Sequence, residues 1–157
     1  MPARVRPPKR EYLAFLAPYD PHIRKLALSA RTLLLEEAPD ASELIYDAYN
    51  AVATGYTFTG RPSDAFVHLA VYARWVNLGF NRGAELEDPQ GVLQGSGRWV
   101  RHIRVSEPAD LAKPPVRSFV KAAVARAVRP DPGAGEGPSR SVVRAIYPTK
   151  RRPQRSR

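Results

Sequence analysis

The chain contains no cysteine. That excludes disulfides, thiolate nucleophiles, cysteine-ligated zinc and iron–sulfur clusters, and it leaves the redox compartment unreadable. No apolar run approaches the roughly 18 residues of a membrane-spanning helix, so no membrane partner is expected. The first ten residues are basic but no apolar segment follows them, so no secretory leader is expected. Acids are scarce: fifteen stand against twenty-five lysines and arginines, for a net charge of +10. With 157 residues there is room for one domain, or for two only if both are tiny. The 43% apolar and 25% charged content is that of an ordinary globular chain. A chain this long buries a core without staples.

A pI near 10.4 invites a nucleic-acid reading, but the excess charge lies at the ends. Residues 1–18 hold four basic residues and one acidic, and residues 128–157 hold eight and two. The middle, 19–127, holds thirteen and twelve and is nearly neutral. Arginine outnumbers lysine twenty to five, a bias that genome composition also produces.

Glu11 to Ala17 reads as one or two helical turns. Asp20-Pro21 then gives an N-cap followed by proline at the first helical position. Ile23, Leu26, Ala27, Ala30, Leu33 and Leu34 follow at helical spacing, and Pro39 should stop the helix near Ala38. Four strands are predicted next: Glu43 to Ala48, Ala51 to Thr59, Ala65 to Ala73 and Arg74 to Phe80. A fifth β-rich segment runs from Arg98 to Ser106. Between Gly79 and Gly97 five glycines and Pro89 predict a long loop. Pro114-Pro115 opens a last helix with Val116, Phe119, Val120, Ala123, Val124 and Ala127 on one face. The rest is rich in Pro, Gly, Ser and Arg and reads as disordered, although Val142, Val143, Ile146 and Tyr147 offer a docking segment. There is no internal repeat. The expected fold is α+β: a helix, a four- to five-stranded mainly antiparallel sheet and a C-terminal helix, both helices on one face. The expected division is a basic arm over 1–10, a domain over 11–127 and a disordered basic tail over 128–157.

Three sets of residues carry a resemblance in combination. The first is Glu43-Leu44-Ile45-Tyr46-Asp47-Ala48-Tyr49-Asn50-Ala51. The second is Ser63-Asp64-Ala65-Phe66 with Tyr72-Ala73-Arg74-Trp75-Val76-Asn77-Leu78. The third runs Gly79-Phe80-Asn81-Arg82-Gly83-Ala84-Glu85-Leu86, then Asp88-Pro89, Gly91-Val92-Leu93, Gly95-Ser96-Gly97 and Arg101-His102-Ile103. In this order, from Glu11 to Ala127, the chain resembles the YdhG-like family, known as domain of unknown function 1801. The resemblance implies a compact α+β fold in a small bacterial cytoplasmic protein with no assigned activity. The wider superfamily is likened to frataxin, and one branch is regarded as an iron chaperone. Frataxin-type iron binding uses an acidic ridge on the first helix and the adjacent strand. Here that helix carries Arg24, Lys25 and Arg31, with acids only at its end.

Each chemical constellation has two readings. Glu36, Glu37, Asp40, Glu43 and Asp47 place five acids in twelve residues; they are ligands for a hard cation or a solvated helix end and turn. His22 reads as a surface residue and His68 as a hydrogen-bonded residue near the core. His102 shares a strand face with Val100 and Arg104, and it either meets an anionic ligand or merely meets solvent. Gly91 to Arg98 places flexible backbone beside Arg98 and Arg101, as anion cradles do, and as glycine-dependent turns also do. Asp47, Tyr49, Asn50, Trp75, Asn77 and Arg82 form a polar-aromatic set suited to a pocket or to a core edge. Ser63 and Ser96 are loop serines, and no motif joins them to Asp47, His68 or His102 as a catalytic triad. The basic run Lys150 to Arg157 can neutralise phosphates, but no aromatic is interleaved for stacking.

The reading is a non-enzymatic YdhG-like module that binds a small anion or metabolite. Arg98, Arg101 and His102 are its anion side, and Tyr49, Asn50 and Arg82 orient the ligand. No catalytic residue and no cofactor are expected. One alternative is a frataxin-like iron chaperone using Glu36, Glu37, Asp40, Glu43 and Asp47. The other is a nucleic-acid-associated protein acting through residues 128–157.

Overall fold

The computed structural model describes residues 5–131, 139–150 and 153. Two helices open it, α1 (Arg10–Leu16) and α2 (Pro21–Glu37). Pro21 takes the first turn of α2, where a missing N–H costs nothing. Asp20 stands at the N-cap position without a side-chain capping bond. The helix ends two residues before Pro39, whose ring disfavours helical geometry just ahead of it. Five strands then meander antiparallel: β1 (Ser42–Asp47), β2 (Val52–Thr57), β3 (Val67–Val71), β4 (Val76–Phe80) and β5 (Arg101–Val105). The short α3 (Pro108–Ala112), which the sequence pattern did not announce, precedes α4 (Pro114–Arg126). Among the described residues no helix is long and apolar enough to cross a membrane.

Among the described residues the sheet has six strands, against the four or five expected, and the sixth comes from the segment read as a disordered tail. Ser141–Ile146 forms β6, which pairs in parallel with the outer edge of β1 and makes the sheet mixed, in the order β5-β4-β3-β2-β1-β6. The physical reason is local. Val142, Val143 and Ile146 are β-branched, and without β6 the backbone groups along one side of β1 would lie open. Pro, Gly, Ser and Arg on either side hid a six-residue run. Side chains anchor it as well: the Ser141 hydroxyl donates to Glu43 Oε1 at 2.7 Å, and Lys150 pairs with Asp47.

The described part of the N-terminal arm is likewise docked. Arg6 donates to the carbonyls of Pro39 and Ala41, while Arg31 of α2 donates to those of Arg6 and Pro7. Arg31 and Glu43 form a fully buried ion pair, with Arg31 Nε at 2.8 Å and Nη2 at 3.0 Å from the two carboxylate oxygens. The Tyr56 hydroxyl donates to the same carboxylate at 3.0 Å. One buried carboxylate thus ties α2, β1, β2 and β6 together.

Strand alternation separates two faces. Ile45, Thr54, Leu69, Leu78 and Ile103 lie in register across one face, as do Asp47, Val52, Val71, Val76 and Val105. Most of these join the buried apolar residues of α1, α2 and α4 in a single core. The opposite face carries the intervening residues, and among the described residues no helix packs on it.

Candidate functional site

Two rows of side chains cross the helix-free face. Leu44, Gly55, His68, Gly79 and His102 form one; Tyr46, Ala53, Ala70, Asn77 and Arg104 form the other. The middle of the face is therefore floored by glycine and alanine, with imidazoles, an amide and a guanidinium standing over its β3–β5 side. No strand position on this face is Asp or Glu.

Gly79 explains how the rings fit. A Cβ there would lie 2.0 Å from His68 Nε2 and 2.2 Å from its Cε1. The His68 ring thus lies across the glycine backbone, leaning toward β5 and His102. Its Nδ1–H donates to Asn81 Oδ1 at 2.8 Å. That bond fixes the tautomer and leaves Nε2 with a lone pair. Burial pushes the His68 pKa below its ordinary value, the nearby His102 adds to the shift, and the Asn81 bond opposes it only in part. His68 is therefore a neutral acceptor at pH 7.

Arg104 lies over the Trp75 ring, its guanidinium carbon 4.0 Å from the centroid, and Trp75 stacks on Tyr72 at 5.3 Å. This contact positions the cation. Arg104 has no carboxylate within ion-pairing distance among the described residues. Two polar atoms of the same neighbourhood, Trp75 Nε1 and Asn77 Oδ1, are buried without a hydrogen-bond partner. Native structures rarely leave such atoms unsatisfied.

The residues picked out from the sequence are dispersed by this fold. Arg101 and His102 are neighbours on β5 and so face opposite ways. Arg101 lies on the helix side, where its Nη1 donates to the carbonyls of Gly97 at 2.6 Å and Val100 at 2.8 Å, pinning the glycine-rich loop. Arg82 and Arg98 both lie against the Trp99 ring, 4.5 and 5.0 Å from its centroid. Tyr49 and Asn50 occupy the β1–β2 turn, closed by the Ala48 N–H donating to the Ala51 carbonyl. That turn lies at the opposite end of the strands from Arg82, Arg98 and Arg101, and on the far side of the sheet from β5. The expected anion set does not converge. His102 keeps its place on the open face, joined by Arg104, His68 and Asn77. The alternation that pairs position 102 with 104 was the signal for Arg104; the partnership with His68 needed the register through Gly79.

The five acids proposed for a cation do not converge either. Glu36 and Glu37 pair with Arg117, Asp40 with Arg129, Glu43 with Arg31 and Asp47 with Lys150. Each carboxylate is paired within the protein, and the five engage four different cations, Arg117, Arg129, Arg31 and Lys150, rather than one point. Among the described residues no three His, Asp or Glu side chains form a metal-holding group. Of the histidines, His22 sits in the first turn of α2 and donates from Nε2 to the Ser106 carbonyl at 2.8 Å. In the basic tail Lys150 is occupied by Asp47. Arg151, Arg152, Arg155 and Arg157, on which the nucleic-acid reading rested, lie outside the described residues.

Comparison with protein-family models, with curated proteins and with solved structures finds no match to this chain.

Proposed function

We propose that the chain is a non-enzymatic module that binds a small anionic metabolite on the helix-free face of its sheet, in keeping with the YdhG-like family that its motifs resemble. The observation that carries this reading is Arg104: a cation positioned on an aromatic ring, without a carboxylate partner among the described residues, on a face whose described strand positions include no Asp or Glu. Arg104 and His102 take the anionic group. His68 Nε2 accepts a hydrogen bond from a ligand O–H or N–H, so a monoprotonated phosphate ester or a hydroxy acid suits the site better than a fully deprotonated oxyanion. The glycine and alanine floor admits a flat ligand body against the backbone. The buried Trp75 N–H and Asn77 carbonyl offer one more donor and one more acceptor.

The test is a thermal-shift panel of phosphate esters, nucleotides and hydroxy acids on the full chain. A ligand at about one hundred times its Kd adds about 2.7 kcal/mol, which raises Tm by about 5 °C or more for a chain of this size. Arg104→Gln should remove most of that shift and leave the unliganded Tm nearly unchanged, because the side chain is exposed. A shift that survives Arg104→Gln and His102→Gln unaltered, or silence across the panel, refutes the assignment.

A further inference from the structure

A second feature lies on the helix side of the sheet and stands independently of the open face. Beside the end of α4 is a cavity of about 420 Å³, within the size range of small-molecule pockets. Phe66, Phe80 and Ala123 form its apolar floor, and all three are buried. Arg82, Arg126 and Glu85 stand at its rim. Arg82 Nη1 donates to Glu85 Oε1 at 3.0 Å. Arg126 donates to the Glu85 backbone carbonyl at 3.1 Å, and its Nη2 lies 3.7 Å from Glu85 Oε2. Asp64 also lines the cavity and is engaged by Arg61.

Two guanidiniums therefore share one carboxylate over an apolar hollow, and the rim keeps an excess positive charge. All three rim side chains are long, and the rim pairs are exposed enough to exchange readily. We propose that this cavity binds a small aliphatic monocarboxylate. Its carboxylate takes the place of Glu85 between Arg82 and Arg126, and its chain lies on Phe66 and Phe80. The Glu85 side chain acts as an internal placeholder, swinging out to water when the ligand enters.

Isothermal titration of the full chain with hexanoate, octanoate and decanoate, each below its micelle concentration, tests this. Affinity should rise about fourfold for each methylene that enters the cavity. Octanol should bind at least about tenfold more weakly than octanoate, since it forgoes charge-assisted bonds. Arg126→Gln should weaken octanoate by about tenfold, and Glu85→Gln should tighten it by removing the competitor. Ala127→Leu, which enlarges a lining residue at the helix end without altering charge, should weaken it too. Thermal melts confirm that each variant is folded. Failure of the wild-type chain to bind octanoate overturns the proposal. So does octanoate affinity that is unchanged in both Arg126→Gln and Ala127→Leu, or that is lost in Arg104→Gln on the opposite face.

Discussion

Gly79→Ala is the sharpest probe of the open face. Glycine inside a strand ordinarily weakens it, so alanine there should stabilise the chain by about 0.5–1 kcal/mol. Here the new methyl would sit 2.0, 2.2 and 2.6 Å from the Nε2, Cε1 and Cδ2 atoms of His68. The obstacle is a side-chain ring, so the strand can persist if the ring swings away. Swinging it breaks the Nδ1–H bond to Asn81, a loss of about 1 kcal/mol, and crowding the face adds about 1–3 kcal/mol. Gly79→Ala should therefore destabilise the wild-type chain by about 1–3 kcal/mol. In a His68→Ala background the ring is gone, and the same substitution should change sign and stabilise by about 0.5–1 kcal/mol. Urea unfolding of the four proteins of this double-mutant cycle, with equal m-values, gives the coupling directly. An equal cost for Gly79→Ala in both backgrounds would show that the glycine is there for some other reason, and that the His68 ring does not depend on it.

The fold was legible where periodicity and punctuation agree. Pro21 and Pro39 bracket α2, and Val67, Leu69 and Val71 alternate as a half-buried strand should. β6 was not legible as ordered, because a six-residue segment with only four apolar residues, between proline-, glycine- and arginine-rich flanks, has no pairing partner in its own neighbourhood; its partner β1 lies about a hundred positions earlier. The site failed for a related reason. Arg98, Arg101 and His102 are close in sequence, yet a strand turns Arg101 and His102 to opposite faces, and Arg98 precedes β5 altogether. Surface arginines also find aromatic and carbonyl partners that no linear pattern records, as Arg82, Arg98 and Arg101 do here. Conversely, His68 and His102 are thirty-four positions apart and become neighbours only because Gly79 stands between them in register.

A chain ending at residue 138 should expose the outer edge of β1 and deprive Glu43 of Ser141 and Asp47 of Lys150. It should unfold at lower urea and self-associate in sedimentation velocity; a monomer as stable as the full chain would mean that β6 contributes nothing. Stability should also fall in two separate pH windows, and the sign follows from proton counting. His68 has a folded pKa below its ordinary 6.5, so as pH drops below about 6.5 the unfolded chain takes up a proton that the folded site resists, and stability declines. His68→Gln should flatten that first decline. For Glu43, burial alone would raise the pKa, but the Arg31 bonds and charge, with Ser141 and Tyr56, outweigh it and hold it below its ordinary 4.5. Its contribution is complete above about pH 4.5 and is lost as pH falls further through the folded pKa, because protonation takes the charge from a carboxylate that Arg31 faces inside the protein. Urea midpoints measured from pH 8 to pH 3 should show both declines, and a stability that rises between pH 7 and pH 5 would contradict the half-buried, neutral state of His68.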